Sequence, residues 1–292
     1  MEKIKMKETL LLIDSHALIY RFFYALPPLT TPAGESVGSI YGLARLILNI
    51  FKEKKRDYVI ATFDRPEKTF RAEVFKEYKI QRPKPAPELI SQFNKARELF
   101  EQFGVKVIEK AGYEADDLIG SLAEKFKNEP DLITSILSGD LDNLQLVDND
   151  KIVVEIIKKG TSDVEIYNEV AVKNRYGLTP KQLPDLKGLV GDTSDNIPGV
   201  KGVGYKTAIP LLQKYGSLEN IFNNLWEISD KIGVKLEAQK EIALLSKELA
   251  TIKKDVPLEI KSLNDFKLRP YDKNSLISHF QKLGFNSLID KL

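Results

Sequence analysis

The chain has 292 residues, enough for one large domain or two modest ones. A hydrophobic content of 42% with 29% charged residues permits a packed core and argues against disorder, and 44 Lys and Arg against 42 Asp and Glu argue against an indiscriminate polycation. Cys is absent and the only histidines are His16 and His279, so disulfides, thiolate nucleophiles, Cys-ligated metals, His-rich metal sites and most Ser-His-Asp schemes are excluded. Ligand and acid–base chemistry is left to carboxylates, Lys, Arg, Tyr or water.

The N-terminal stretch Met1–Glu8 is charged. The apolar run Leu10–Ile13 ends at Asp14 and is too short for a signal-peptide core. No stretch approaches the roughly 20 apolar residues of a membrane span. A soluble, cytoplasmic protein with no membrane partner is expected. Leu10–Ile13, Tyr58–Phe63, Val105–Ile108, Leu132–Leu137 and Ile152–Ile157 read as strands. Ser39–Phe51, Pro87–Phe103 and Glu114–Lys127 read as helices, the second with Ile90, Phe93, Ala96, Leu99 and Phe103 on one face. This alternation predicts an α/β fold with a mostly parallel sheet flanked by helices. After about Ala171 strand signals fade, and helices are predicted at Asp185–Gly191, Tyr205–Tyr215, Leu218–Leu225, Val234–Ile252 and Lys273–Leu283. The expected organisation is an α/β lobe over residues 1–175, a helical lobe over 176–292 and a boundary near Val170–Lys181.

Three predicted strands run into acids: Ile13 into Asp14, Phe63 into Asp64, and Leu137 into Asp140 and Asp142. In a parallel sheet the carboxyl ends of the strands share one edge, where ligand sites form, so these acids should converge. Glu114, Asp116 and Asp117 cluster at a predicted helix start, and Asp192 and Asp195 open the helical lobe. Taken singly, Asp14 and Asp64 read better as turn residues or N-caps, and the 114–117 cluster reads equally well as compensation of the helix dipole. The joint placement favours metal binding. Nine carboxylates in one cleft repel each other unless cations intervene, and Mg²⁺ prefers oxygen ligands. Two ions roughly 3.5–4 Å apart would stabilise the attacking and leaving oxygens of a phosphodiester displacement. Setting those nine aside leaves 33 acids against 44 basic residues, an excess of eleven positive charges suited to a polyanionic substrate.

From Asn196 to Ala208 the sequence is NIPGVKGVGYKTA, with Gly199, Gly202 and Gly204 within six residues. A P-loop would need Lys where Tyr205 stands, and a dinucleotide fingerprint would need a further Gly. A tight interhelical turn is the plain alternative. The better reading is a helix–hairpin–helix over 185–215 that grips a duplex backbone without reading its sequence, with Lys201, Lys206 and Thr207 contributing charge and a hydroxyl. Pro210 inside the second helix is unexpected, because an interior Pro costs about 3 kcal/mol. Between Arg65 and Lys84 seven basic residues face three acids, interleaved with Phe70, Phe75 and Tyr78 and followed by a Pro-rich break. Composition alone suggests a solvated charged helix. Its place directly after Asp64 suggests instead a basic arch over 65–87 that contacts a threaded strand. Tyr20 reads equally as a core aromatic or as a platform for a base.

Taken in order, Ile13-Asp14-Ser15 with Tyr20-Arg21, Thr62-Phe63-Asp64, Thr69-Phe70-Arg71, Tyr78 to Pro83, Gly112 to Asp117, Gly139 to Leu146 and Gly191 to Val200 closely resemble the 5′→3′ exonuclease (flap endonuclease) domain of bacterial DNA polymerase I, from about Leu10 to about Leu288. The resemblance implies a PIN/flap-nuclease-like fold and a structure-specific 5′ nuclease acting in replication and repair. Its expected substrates are 5′ flaps, nicks and 5′ ends of duplex DNA and of RNA–DNA primers, cleaved by two-metal-ion hydrolysis to 5′-phosphate and 3′-hydroxyl ends. It assigns Asp14, Asp64, Glu114, Asp116 and Asp140 to a tighter metal site, and Asp117, Asp142, Asp192 and Asp195 to the surroundings of a second ion. Lys79 and Arg82 would contact the scissile phosphate, Tyr20 would stack a base, and Arg21, Arg71, Gly199, Lys201, Gly202, Gly204, Lys206 and Thr207 would bind DNA. The implied cofactors are two Mg²⁺, with Mn²⁺ substituting, and K⁺ at the hairpin. The implied state is a monomer, with a covalently linked polymerase domain or without one.

Three positions depart from the usual pattern: Ser15 where Gly is common, Leu141 where Lys or Arg is common, and Tyr205 where Glu is common. None is a metal ligand, and Leu141 bears on a phosphate contact. Two other functions are disfavoured by the same residues. A catalytically silent flap-binding module is disfavoured by the complete acid set, and an aspartyl-phosphate phosphatase by Asp14-Ser15-His16, where that chemistry wants Asp-x-Asp.

Overall fold

The computed structural model describes residues 7–53, 55–149, 151–160 and 163–292; residues 1–6 of the charged N-terminal stretch lie outside it. Six strands, β1 (Glu8–Asp14), β2 (Tyr58–Phe63), β3 (Lys106–Glu109), β4 (Leu132–Ser138), β5 (Ile152–Lys159) and β6 (Asp163–Tyr167), form one sheet in the order β3-β2-β1-β4-β5-β6. All pairings are parallel except β5 with β6. Five of the strands were legible because covering both faces of a sheet turns a strand into a nearly continuous apolar run; the antiparallel edge strand β6, DVEIY and mostly solvent-facing, carries no such run and was not expected. Leu10 and Leu12 of β1 enter one core and Leu11 and Ile13 the other, as the two-residue period requires.

Helices α1 (Ser15–Ala25), α2 (Gly38–Glu53), α3 (Phe70–Val74), α4 (Pro87–Gln102) and α5 (Ala115–Phe126) alternate with the strands. The second core packs β1 and β2 against α1, α2 and α4, together with Leu276 and Phe280 from near the C-terminus. On α4 the buried stripe is Leu89, Phe93, Ala96, Leu99 and Phe100, whereas Ile90 is exposed, so the expected face is rotated by one position at its start.

After β6 come α6 (Glu169–Tyr176), α7 (Leu183–Val190), α8 (Tyr205–Tyr215), α9 (Leu218–Asn223), α10 (Asp230–Ala238), α11 (Lys240–Ala250), α12 (Lys273–Leu283) and α13 (Asn286–Ile289). The continuous helix expected over 234–252 is instead two helices. They break at Gln239 (φ −126°), whose side-chain oxygen turns aside to accept the Lys201 amide at 2.8 Å. Helix α8 runs on through Pro210. The first core joins the other sheet face to α5 and to Leu186, Ala208, Leu212, Ile221 and Ala243 of the helical region. No helix among the described residues is long and apolar enough to cross a membrane.

The strand order places β1 between β2 and β4, and the chain reverses its direction across the sheet at β1/β4. That switch point is where open α/β sheets leave a crevice at the carboxyl ends of their strands.

Candidate active site

Three adjacent strands deliver the central acids. Asp14 ends β1 and caps α1, its Oδ1 accepting the Ala17 amide at 3.1 Å. Asp64 follows β2 and accepts the Ala115 amide at 2.6 Å, tying that strand end to the start of α5. Asp140 follows β4 and caps a 3₁₀ turn at Leu141–Leu146 by accepting the Asp142 amide at 2.9 Å. Local capping therefore fixes Asp14 and Asp140, and a long-range bond to the start of α5 fixes Asp64.

These acids line one cavity of about 530 Å³ together with Glu114, Asp116, Asp142 and Asp195. Burial pushes the Asp14 carboxyl up to about 7, with Asp140 and Asp64 adding repulsion, although Ser138 donates to it at 2.6 Å. Burial and then Asp14 and Asp140 raise Asp116 well above the usual carboxylate range, while Asn143 donates to it at 2.8 Å. Burial and Asp140 push Asp142 to about 6. An all-oxygen donor set whose negative charge is this poorly compensated fits hard divalent cations. Among the described residues, no three His, Asp or Glu side chains are arranged to hold an ion as they stand. Several of these carboxylates are engaged by lysine and arginine instead.

Lys79 Nζ lies 2.8 Å from Glu114 Oε1 and 3.7 Å from Asp195 Oδ2, and Arg82 also pairs with Asp195. The Tyr78 hydroxyl stands 3.1 Å from both Glu114 and Asp195. Lys79 adopts φ +55°, a left-handed conformation uncommon outside Gly, held by its amide donating to the Asp195 carbonyl at 2.9 Å. Gln81 donates to the Thr193 carbonyl and Asn196 to the Glu77 carbonyl, so the segment 77–81 clasps the 193–196 loop. On the other side Lys187 bridges Asp142 and Asp192. Burial works against the Lys187 charge, but the two carboxylates hold its pKa above the ordinary lysine value. Burial alone would raise Asp192, yet Lys187 and Ser194 bring it to about 2.

Two of the expected site residues face each other rather than open solvent. Asp117, expected beside a second ion, is 0% exposed and does not line the cavity. Its oxygens accept from Arg71 at 2.7 and 2.8 Å and from the Glu114 and Lys253 amides. Arg71, expected on DNA, borders the cavity but is 3% exposed, and it also donates to the Leu249 and Thr251 carbonyls. A buried charge needs a partner and satisfied hydrogen bonds, and these two residues satisfy each other. Asp192 is likewise absent from the cavity lining. Arg21 lines the cavity with its guanidinium on the Lys158 carbonyl.

Tyr20 lines the cavity beside His16, which stacks on Phe93 at 4.1 Å. His16, Tyr78, Ser138, Asn143 and Lys187 were not singled out from the sequence. Tyr78 stood inside a motif already noted; for Lys187, nothing short of the fold marks a lysine five residues before Asp192.

The glycine hairpin lies outside the cavity lining, between α7 and α8. Gly199 (φ +62°) presses on the end of α7, where an added Cβ would stand 2.2 Å from the Gly191 amide nitrogen. Val200 donates to the Leu189 carbonyl at 2.8 Å and Gly199 to Ser246 Oγ at 3.0 Å. Gly202 (φ +83°), Gly204, Lys201 and Lys206 are exposed, and Thr207 is half-buried.

A parallel α/β sheet with an acid-lined crevice at its switch point, joined to a helical region carrying a glycine hairpin, defines a nuclease-type architecture. Residues 9–177 match the family model for the 5′–3′ exonuclease N-terminal resolvase-like domain, and residues 178–274 that for the 5′–3′ exonuclease C-terminal SAM fold. The chain belongs to the 5′–3′ exonuclease family. It is 38% identical to the 5′–3′ exonuclease of Aquifex aeolicus over 98% of this chain and 95% of that protein. It is 42% identical to the DNA polymerase I of Bacillus caldotenax over 98% of this chain but 32% of that protein, so it spans about a third of the polymerase relatives' length. Among solved structures, a bacteriophage T5 flap endonuclease in complex with DNA and metal ions aligns with a TM-score of 0.66 at 20% identity, covering 94% of this chain and all of that one.

Proposed function

We propose that this chain is a divalent-metal-dependent, structure-specific 5′ nuclease. Its substrates are 5′ flaps, nicks and 5′ ends of duplex DNA, including RNA–DNA primers, and its products carry 5′-phosphate and 3′-hydroxyl ends. The observation that carries this reading is the convergence of seven carboxylates, six from the α/β region and Asp195 from the helical region, on one cavity that also holds Lys79 and Arg82. Family membership and the T5 complex support it.

Asp14, Asp64, Glu114, Asp116 and Asp140 would hold one Mg²⁺, with Asp142, Asp192 and Asp195 around a second and Mn²⁺ as a substitute. The ions would supply Lewis-acid stabilisation to the attacking and leaving oxygens. Lys79 and Arg82 leave their carboxylate partners to bind the scissile phosphate and stabilise the charge that develops on it. Ser138 and Asn143 orient Asp14 and Asp116. Tyr20 stacks the base at the cleavage point. The hairpin holds the duplex backbone through Lys201, Lys206, Thr207 and the exposed backbone at Gly202 and Gly204, with K⁺ at its carbonyls. Residues 1–175, with the arch at 65–87, form the nuclease lobe, and 176–292 form the DNA-binding lobe of a cytoplasmic monomer, to which a polymerase domain is joined in the longer relatives.

The test is cleavage of a labelled 5′-flap duplex with Mg²⁺, with product ends analysed. The expected result is cleavage at the flap base, lost in Asp140→Asn and Asp64→Asn. Equal activity in either variant would overturn the reading.

A further inference from the structure

Lys235 lies on α10, outside the helix–hairpin–helix, yet its side chain reaches that hairpin. A Cβ built on Gly202 would stand 2.9 Å from Lys235 Nζ, so the ammonium occupies the space beside the Gly202 backbone where another residue's side chain would begin. The approach is held from both sides. Gln239 at the end of α10 accepts the Lys201 amide at 2.8 Å and donates to the Lys235 carbonyl at 3.3 Å. This same interaction breaks the helix expected over 234–252. Among the described residues Lys235 has no acidic partner, and neither have Lys201 and Lys206. Among the described residues the Gly202 and Gly204 amides donate to no carbonyl, and both glycines are exposed. A half-buried lysine without a counter-ion, set against exposed and unpaired amides, is matched by an anion, and an exposed rim with two further lysines suits a polyanion.

We propose that Lys235 is a phosphate-binding residue. Its ammonium and the Gly202–Gly204 rim form one subsite for the phosphodiester backbone of duplex DNA, so the duplex footprint extends from the hairpin onto α10. The inference rests on the duplex-gripping role given to the hairpin. The φ of +83° is what favours Gly at 202, and a Cβ there would make the ammonium shift.

The experiment measures binding of the whole chain to a nicked duplex over a salt series for Lys235→Ala, Lys235→Arg and Lys206→Ala, with melting temperatures recorded. Lys235→Ala is expected to weaken binding about fivefold near 0.1 M salt and to lower the slope of log K against log salt by about 0.9, the signature of one lost phosphate contact. Lys235→Arg is expected to keep the slope. If Lys206→Ala lowers the slope and Lys235→Ala does not, the inference fails while the hairpin's role stands. Unchanged slopes in both variants would overturn that role as well. Weaker binding by Lys235→Ala at an unchanged slope would also overturn the proposal, because the loss would then come from hairpin packing. Should Lys235→Ala melt early, Lys235→Gln, which keeps the stem, replaces it with the same expectations.

Discussion

Arg71 on α3 and Asp117 on α5 meet as a bidentate pair at 2.7 and 2.8 Å, both shielded from solvent. Arg71 also holds two carbonyls at the end of α11, and Asp117 holds the amide of Glu114, so the pair locks α3, the acid-bearing α5 and the end of α11 together. Removing Asp117 leaves the buried Arg71 with Glu114, 3.6 Å away, as its remaining carboxylate and without its bidentate partner, so Asp117→Ala is expected to cost about 3 kcal/mol. The paired change Arg71→Met with Asp117→Leu is expected to cost much less than the single change. Denaturant unfolding of the three chains decides it, and equal losses in single and double variants would contradict the pairing.

Lys79 is poised beside the acids in a left-handed backbone conformation. If it serves the scissile phosphate, Lys79→Ala should lower kcat about 10²–10³-fold, the usual loss for one donor to a developing anion. Single-turnover cleavage of a 5′-flap duplex reads this directly; a change confined to KM would move Lys79 from transition-state stabilisation to ground-state binding.

Lys187 occupies Asp142 and Asp192 as a resident cation. A divalent ion at those carboxylates must displace it. Lys187→Met is therefore expected to bind Mg²⁺ about tenfold more tightly, worth about 1.4 kcal/mol. Calorimetric titration measures this without DNA or turnover. An unaltered isotherm would show that Asp142 and Asp192 do not take the metal.

Stability of the metal-free protein should depend on pH with an unusual sign. Burial lifts Asp14 from 3.8 to about 7, so between those values the folded chain holds a proton that the unfolded chain releases. Stability then falls as pH rises through this window, by up to about 1.4 kcal/mol per pH unit from this group. Asp142, raised to about 6, acts in the same direction. Melting temperatures in a chelator should decline from pH 4 to 7, and millimolar Mg²⁺ should flatten the profile. A flat profile in chelator would contradict the buried repulsion.

The hairpin glycines separate into two kinds. Gly199→Ala must strain a φ of +62° and drive a Cβ into the Gly191 backbone, so it is expected to cost more than about 2 kcal/mol. Gly204→Ala meets nothing within 4 Å and should leave the melting temperature close to that of the parent.

The sequence by itself determined which acids gather at the sheet edge. Side chains on a doubly covered parallel sheet are mostly apolar, so the strands announce themselves, and the residues that follow each strand inherit a fixed edge of the fold; the gathering of Asp14, Asp64 and Asp140 followed from that. Tertiary structure decided which acids face the cavity. Asp116 and Asp117 are neighbours in sequence on one helix turn, yet one lines the cavity and the other is buried against Arg71, 46 residues earlier. Periodicity reports a buried face, but it does not say what covers that face. The break at Gln239, the bridge made by Lys187 and the reach of Lys235 to Gly202 all depend on partners brought close only by tertiary packing, and a local pattern carries no record of them.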